Sequence, residues 1–190
     1  MDPRSVVMLQ PPVVEPLSLT EIRQHLRLMS DQTEDDQLLL GLAATARRLV
    51  ERRLGVALVC TQYRATWRAG RAVVHLPNPP LLVGEAYPVL VESLDVDGQA
   101  TVVSDETYRI DADATPARLI FDPVPPGELR VTYHAGQPAG GRIAPQLRSA
   151  MLLLIGHLYA NREATSEMAV DEIPMGVEML LASESVDGRW

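Results

Sequence analysis

Asp111 and Asp113, two residues apart in DADAT, are the carboxylates whose spacing could serve general acid and base chemistry. That chemistry needs a base, a nucleophile or a metal beside the pair, and none accompanies it, so the two read as solvated loop aspartates. Asp95 and Asp97 ahead of Gly98 look like the start of a calcium loop, but the third acidic position and the distal bidentate glutamate are missing from the register. Asp97-Gly98 between apolar stretches is a hairpin signal instead, because both central positions of such a turn take positive φ cheaply. His25, His75, His134 and His157 are scattered over different predicted elements without ligand spacing. Cys60 is the only cysteine, which excludes an internal disulfide and a cysteine-based zinc cluster and fits a reducing, intracellular setting. No Gly-rich phosphate loop, G-x-S-x-G elbow or H-E-x-x-H is present. These residues predict a protein that is not an enzyme, with no cofactor and no metal. The alternative they leave open is a small-molecule-binding protein or enzyme with Asp111, Asp113 or His134 in a cleft of the β region.

Arg47, Arg48, Arg52 and Arg53 form the basic cluster that a DNA channel or an acidic protein surface could use. A local reading competes with it: cations are favoured at a helix C-terminus, and Arg47 can pair with Glu51 four residues on. The formal charge of −8 leaves no global pull toward nucleic acid or an anionic membrane.

These groups must be positioned by a chain of 190 residues, enough for one domain with a sizeable core plus tails. A hydrophobic fraction of 46% against 22% charged is ordinary for a folded protein. The start MDPRSVVMLQPP lacks a secretory pattern, and the apolar run at 151–155 is far short of the ~20 residues of a membrane span. Residues 1–16 carry four prolines and no helical period, which predicts an extended arm. Ser18 followed by Glu21 matches a capping box, so a helix is expected over 18–28. Thr33 opens TEDD, a start signal for a helix over 33–54, with apolar residues at three- and four-residue steps and Gly55 as the stop.

From Val56 the texture turns β-branched and aromatic, predicting an antiparallel β region over 56–135 with five to seven short strands. CTQYRATWRA and RAVVHLP read as its first pair, VESLDVDGQATVV as a hairpin. After GQPAGG, Pro145 suits the first turn of a helix over 145–162. Here Leu152, Leu153 and Ile155 spread hydrophobicity round most of the circumference, so this is either a central helix covered by the rest of the domain or one with a face buried by another subunit. Tyr159 at its far end is expected to turn its ring inward and its hydroxyl out, and Arg162 to sit on the negative end of the dipole. Residues 167–190 form an acidic tail with a short helix, in which Met175, Val177, Met179, Leu180 and Leu181 at helical spacing mark a candidate partner site, grouped with Trp190. The competing reading folds this tail back on its own domain. The class is α+β: a helical core with an inserted antiparallel β region, an extended arm at 1–16, one domain over 17–166 and a tail.

PLSLTEIRQHLRL with an acidic helix start behind it, ARRLVERRLGVAL, and LRSAMLLLIGHLYANREA followed by IPMGVEMLL, in this order around a β region, resemble the head–tail connector (adaptor) proteins of tailed bacteriophages and phage-derived gene transfer agents, the gp6-like family. The resemblance implies a structural virion or gene transfer agent component assembled in the bacterial cytoplasm. It implies a homo-oligomeric ring, a dodecamer matching the portal, that joins the portal protein to a stopper or tail-joint protein. DNA would pass through its channel without specific binding, and no membrane is involved. A neck or tail-completion protein at another level of the joint is the neighbouring alternative.

Overall fold

Strict alternation through TQYRATW produces a strand, Thr61–Trp67, in which every second side chain is buried. The computed structural model describes residues 2–29, 31, 33–161 and 175–184. Among them are nine strands: β1 (Ser5–Gln10), β2 (Thr61–Trp67), β3 (Val73–His75), β4 (Leu81–Leu82), β5 (Leu90–Leu94), β6 (Ala100–Val102), β7 (Tyr108–Asp111), β8 (Arg118–Phe121) and β9 (Glu128–Ala135). Four helices accompany them: α1 (Leu19–Leu26), α2 (Asp36–Leu54), α3 (Pro145–Ala160) and α4 (Met175–Glu184). The class is α+β with antiparallel sheets. Contacts gather these elements into two compact units, a β unit of residues 2–13 and 55–141 and a helical unit of the described residues within 14–54 and 142–184.

In the β unit one sheet has the order β1-β2-β9-β5-β6, with β4 also on β9, and a second has the order β3-β8-β7. Their inner faces share one core, to which Tyr63, Trp67, Leu129 and Val131 come from the first sheet and Val74, Leu119 and Phe121 from the second. The expected first pair is therefore not a pair: β2 bonds to β1 and β9, and β3 to β8. Adjacency in sequence loses here because the alternating face of β2 is matched along its whole length by β9. The extended arm contributes β1, so part of it is an edge strand. β5 and β6 do form the hairpin, but only Gly98 of the central pair has positive φ, 79°. The loop is held instead by the Asp95 carboxylate, whose Oδ1 accepts from the amides of Asp97 (2.9 Å) and Gln99 (2.8 Å).

Gly127 shows how closely the backbone approaches itself at the start of β9. Its φ is 72°, and a Cβ there would stand 2.1 Å from the Leu94 carbonyl oxygen, so no other residue fits.

In the helical unit Ser18 caps α1, its Oγ accepting from the Glu21 amide at 3.2 Å. The reciprocal half of the capping box is replaced: the Glu21 carboxylate accepts from Arg148 Nη2 at 2.6 Å and thereby ties α1 to α3. α2 starts at Asp36, three residues later than TEDD predicts, because Thr33 to Asp36 close a separate turn with the Thr33 carbonyl accepting from the Asp36 amide. Asp36 is then free to accept from Arg23 Nε of α1 at 3.0 Å. α3 ends at Ala160 with Asn161 as its cap, and Arg162 lies outside the described residues. Within its unit α3 is central, touching α1, α2 and α4 and burying Leu147, Ala150, Met151, Leu154 and Ile155.

Candidate functional site

The candidates for chemistry end in ion pairs or in different sheets. Asp111 closes β7 and accepts from Arg118 Nε of β8 at 2.8 Å. That bond holds its carboxyl below the usual carboxylate range, so it is an ion-pair partner rather than an acid or base. Asp113 is exposed in the following loop, and His134 belongs to β9 of the other sheet, its ring tilted against Tyr87 at 5.7 Å. None of the three lines the groove of about 420 Å³ in this unit, whose walls include Leu94, Val102, Val103, Val124 and Pro125. Burial pushes the Cys60 thiol up, away from the reactive thiolate. Among the described residues no three of His, Cys, Asp and Glu cluster as a metal could require, and no helix is long and apolar enough to cross a membrane.

The arginine cluster divides between structure and surface. Arg47 is 2% exposed; its Nη1 donates to Glu51 at 2.6 Å and its Nε to Glu15 at 2.8 Å. The i to i+4 pair was legible, whereas Glu15, thirty-two positions away between Val14 and Pro16, carried no signal in any local period. Arg53 donates through Nε (3.2 Å) and Nη2 (2.8 Å) to Glu178, which joins α2 to α4. Arg48 and Arg52 are exposed.

The acidic tail's helix does not keep its whole apolar side free. Val177 (0% exposed) and Leu181 (3%) are buried in the helical unit, Leu180 is half-buried, and Met175 (83%) and Met179 (74%) point out. Leu153 of α3, 42% exposed, adjoins this outer strip: a Cβ added at Gly176 would be 4.0 Å from its Cδ1. Leu152 is half-buried and Ile155 fully buried, so among the described residues Leu153 is the most open part of the apolar circumference of α3. Trp190 lies outside the described residues.

Tyr159 corrects a simpler expectation. Its hydroxyl does not go out to water but donates to Asp35 Oδ2 at 2.6 Å, tying the end of α3 to the entry of α2. Tyr159→Phe is expected to cost about 1.5 kcal/mol, the usual worth of a hydrogen bond to a charged acceptor, read as a shift of the urea midpoint with unchanged slope.

What this arrangement offers is an interaction surface: an apolar strip of Leu153, Met175 and Met179 on ion-paired helices, with no cluster of metal-ligating side chains among the described residues. No family model and no curated protein matches the sequence. Solved structures do match its fold. A chain in the neck of an empty gene transfer agent particle computed with C6 symmetry is 23% identical over 94% of both chains, with a TM-score of 0.74. A chain in the virion of the native particle is 24% identical over 94% of this chain and 93% of its own, at 0.72. One in the neck of the native particle computed with C12 symmetry is 22% identical over the same shares, at 0.70. At identities of 22–24% the likeness establishes a common fold along nearly the whole chain.

Proposed function

We propose that this chain is a structural head–tail adaptor of a phage-like or gene transfer agent particle. Copies form a homo-oligomeric ring, a dodecamer matching the portal, which seats on the portal protein and passes the connection on to a stopper or tail-joint protein. The observation that carries this reading is the fold shared with gene transfer agent neck chains over 94% of this chain, reached from a different direction by the order of helical motifs around a β region. The formal charge of −8 supports a channel through which DNA passes without being bound. The outward strip of Met175 and Met179, continued by Leu153, is the part offered to the portal, while the buried Val177 and Leu181 anchor α4 in the helical unit.

Affinity purification of a tagged copy from its native producing cells tests the reading. Portal and stopper or tail-joint proteins should accompany it in mass spectrometry; recovery alone, or with metabolic enzymes, would refute it. Met175→Glu with Met179→Glu should then lower portal recovery at least tenfold with the melting temperature unchanged, since neither side chain is buried. Undiminished recovery would move the docking surface elsewhere.

A further inference from the structure

The larger sheet of the β unit has two open edges, and they suit each other. We infer that β1 of one copy docks along β6 of the next, joining the β units of neighbouring copies edge to edge; this rests on the ring reading above. β1 and β6 end the order β1-β2-β9-β5-β6, and neither has a strand on its outer side among the described residues. Folded proteins guard such edges with charge, proline, a bulge or a very short strand, because unpaired N–H and C=O groups recruit another strand. Neither SVVMLQ nor ATV contains a charge or a proline, the bulge in β1 comes only between Met8 and Gln10, and shortness is the one guard on β6, which has three residues. Val6, Val7 and Val102 are exposed large apolar residues on these strands.

The two edges are level and opposite in sign. Register carries one row straight across the sheet, from Ser5 through Thr66, Arg130 and Glu92 to Val102. Just beyond this row, at the end of the sheet where β9 begins, the β1 side bears Arg4 and Arg68 against one acid, Asp2, and the β6 side bears Asp95 and Asp97, all five exposed. Arg4 already pairs with Glu128 at 3.0 Å, yet its side chain is still 57% exposed.

A second copy of this chain is the occupant these facts select. Rotation about an axis along the strands carries the β6 edge of one copy to the β1 edge of the next with the same end up, so Arg4 and Arg68 meet Asp95 and Asp97 at every joint. A two-fold contact, β1 on β1 or β6 on β6, leaves these charges without opposite partners. Both edge strands run the same way, so the new pair is parallel. The apolar groove beside β6, walled by Val102, Val103 and Val124, gives the incoming strand's side chains a surface to bury.

The experiment uses intact particles carrying the full chain with Cys60→Ser, Ser5→Cys and Val102→Cys, treated with a short bismaleimide and run on a denaturing gel. The expected result is a ladder of dimer, trimer and higher species from the double variant and only monomer from either single one. A product that stops at dimer, or any dimer from Ser5→Cys alone, means a two-fold contact and overturns the inference. No cross-link in particles that retain the chain overturns it as well, while leaving the ring reading standing. Absence of the wild-type chain from particles removes the ring reading and the inference together. Asp95 holds its own loop and Arg4 pairs with Glu128, so charge reversal at the other two residues decides independently: Asp97→Arg should reduce incorporation at least threefold, and adding Arg68→Asp should restore it. A folded double variant that is not restored also overturns the edge joint.

Discussion

Replacing Arg47 by alanine is expected to remove about 3–5 kcal/mol from the stability of the helical unit, the usual cost of breaking a buried ion pair from one side. The guanidinium is 2% exposed and lies between the Glu51 and Glu15 carboxylates. Burial by itself lowers its pKa, but hydrogen bonding to Glu15 and attraction to Glu51 outweigh that, and the net direction is upward. Alanine would take the Arg47 guanidinium away from the Glu51 side chain, 9% exposed. Much of the loss is the cost of two carboxylates deprived of this guanidinium, which makes a second prediction from the same site: Arg47→Met with Glu51→Leu and Glu15→Gln should recover most of it. Urea unfolding followed by far-UV circular dichroism measures both, with Arg48→Ala as the exposed neighbour expected to change stability by less than about 0.5 kcal/mol. A small effect from Arg47→Ala would mean that water or another cation reaches the two glutamates.

Trp67→Ala should be comparably damaging to the β unit, about 3–5 kcal/mol, because it empties a large volume from a core to which both sheets contribute. The ring is 2% exposed, and its Nε1 has no hydrogen-bond partner among the described residues. An unpartnered buried donor costs roughly 1–3 kcal/mol, so Trp67→Phe removes that cost together with part of the apolar area. Phenylalanine is accordingly expected to lie much closer to wild type than alanine does. If phenylalanine costs as much as alanine, shape rather than volume governs this site. Since the other tryptophan is Trp190, quenching of the buried Trp67 emission can follow unfolding of this unit in a Trp190→Phe background.

The two predictions show where sequence reading succeeds and stops. Arg47 with Glu51 was legible because four residues span one helical turn. Glu15, the other half of the site, is a long-range partner that no period announces. The alternation in TQYRATW marked β2 as a half-buried strand, yet its partner was decided by β9, which follows β2 by more than sixty positions. Leu81–Leu82 carries too few residues for a period-two signal, β1 was masked by the prolines around it, and Val73–His75, legible within RAVVHLP, gave no sign that its partner is β8. The apolar circumference of α3 announced extensive cover without saying what supplies it.

The α+β class, the approximate places of the helices, the hairpin at Asp97-Gly98 and the lack of any recognisable catalytic motif are legible in the sequence, because each follows from composition and from repeats within a few residues. That β1 is a sheet edge, that Val177 and Leu181 are buried while Met175 and Met179 remain outside, and that Arg4 and Arg68 stand level with Asp95 and Asp97 across five strands came from the folded chain alone. Those outcomes depend on which distant segments meet. Pairing register and side-chain burial are properties of the meeting, and a one-residue slip in either strand would reverse them.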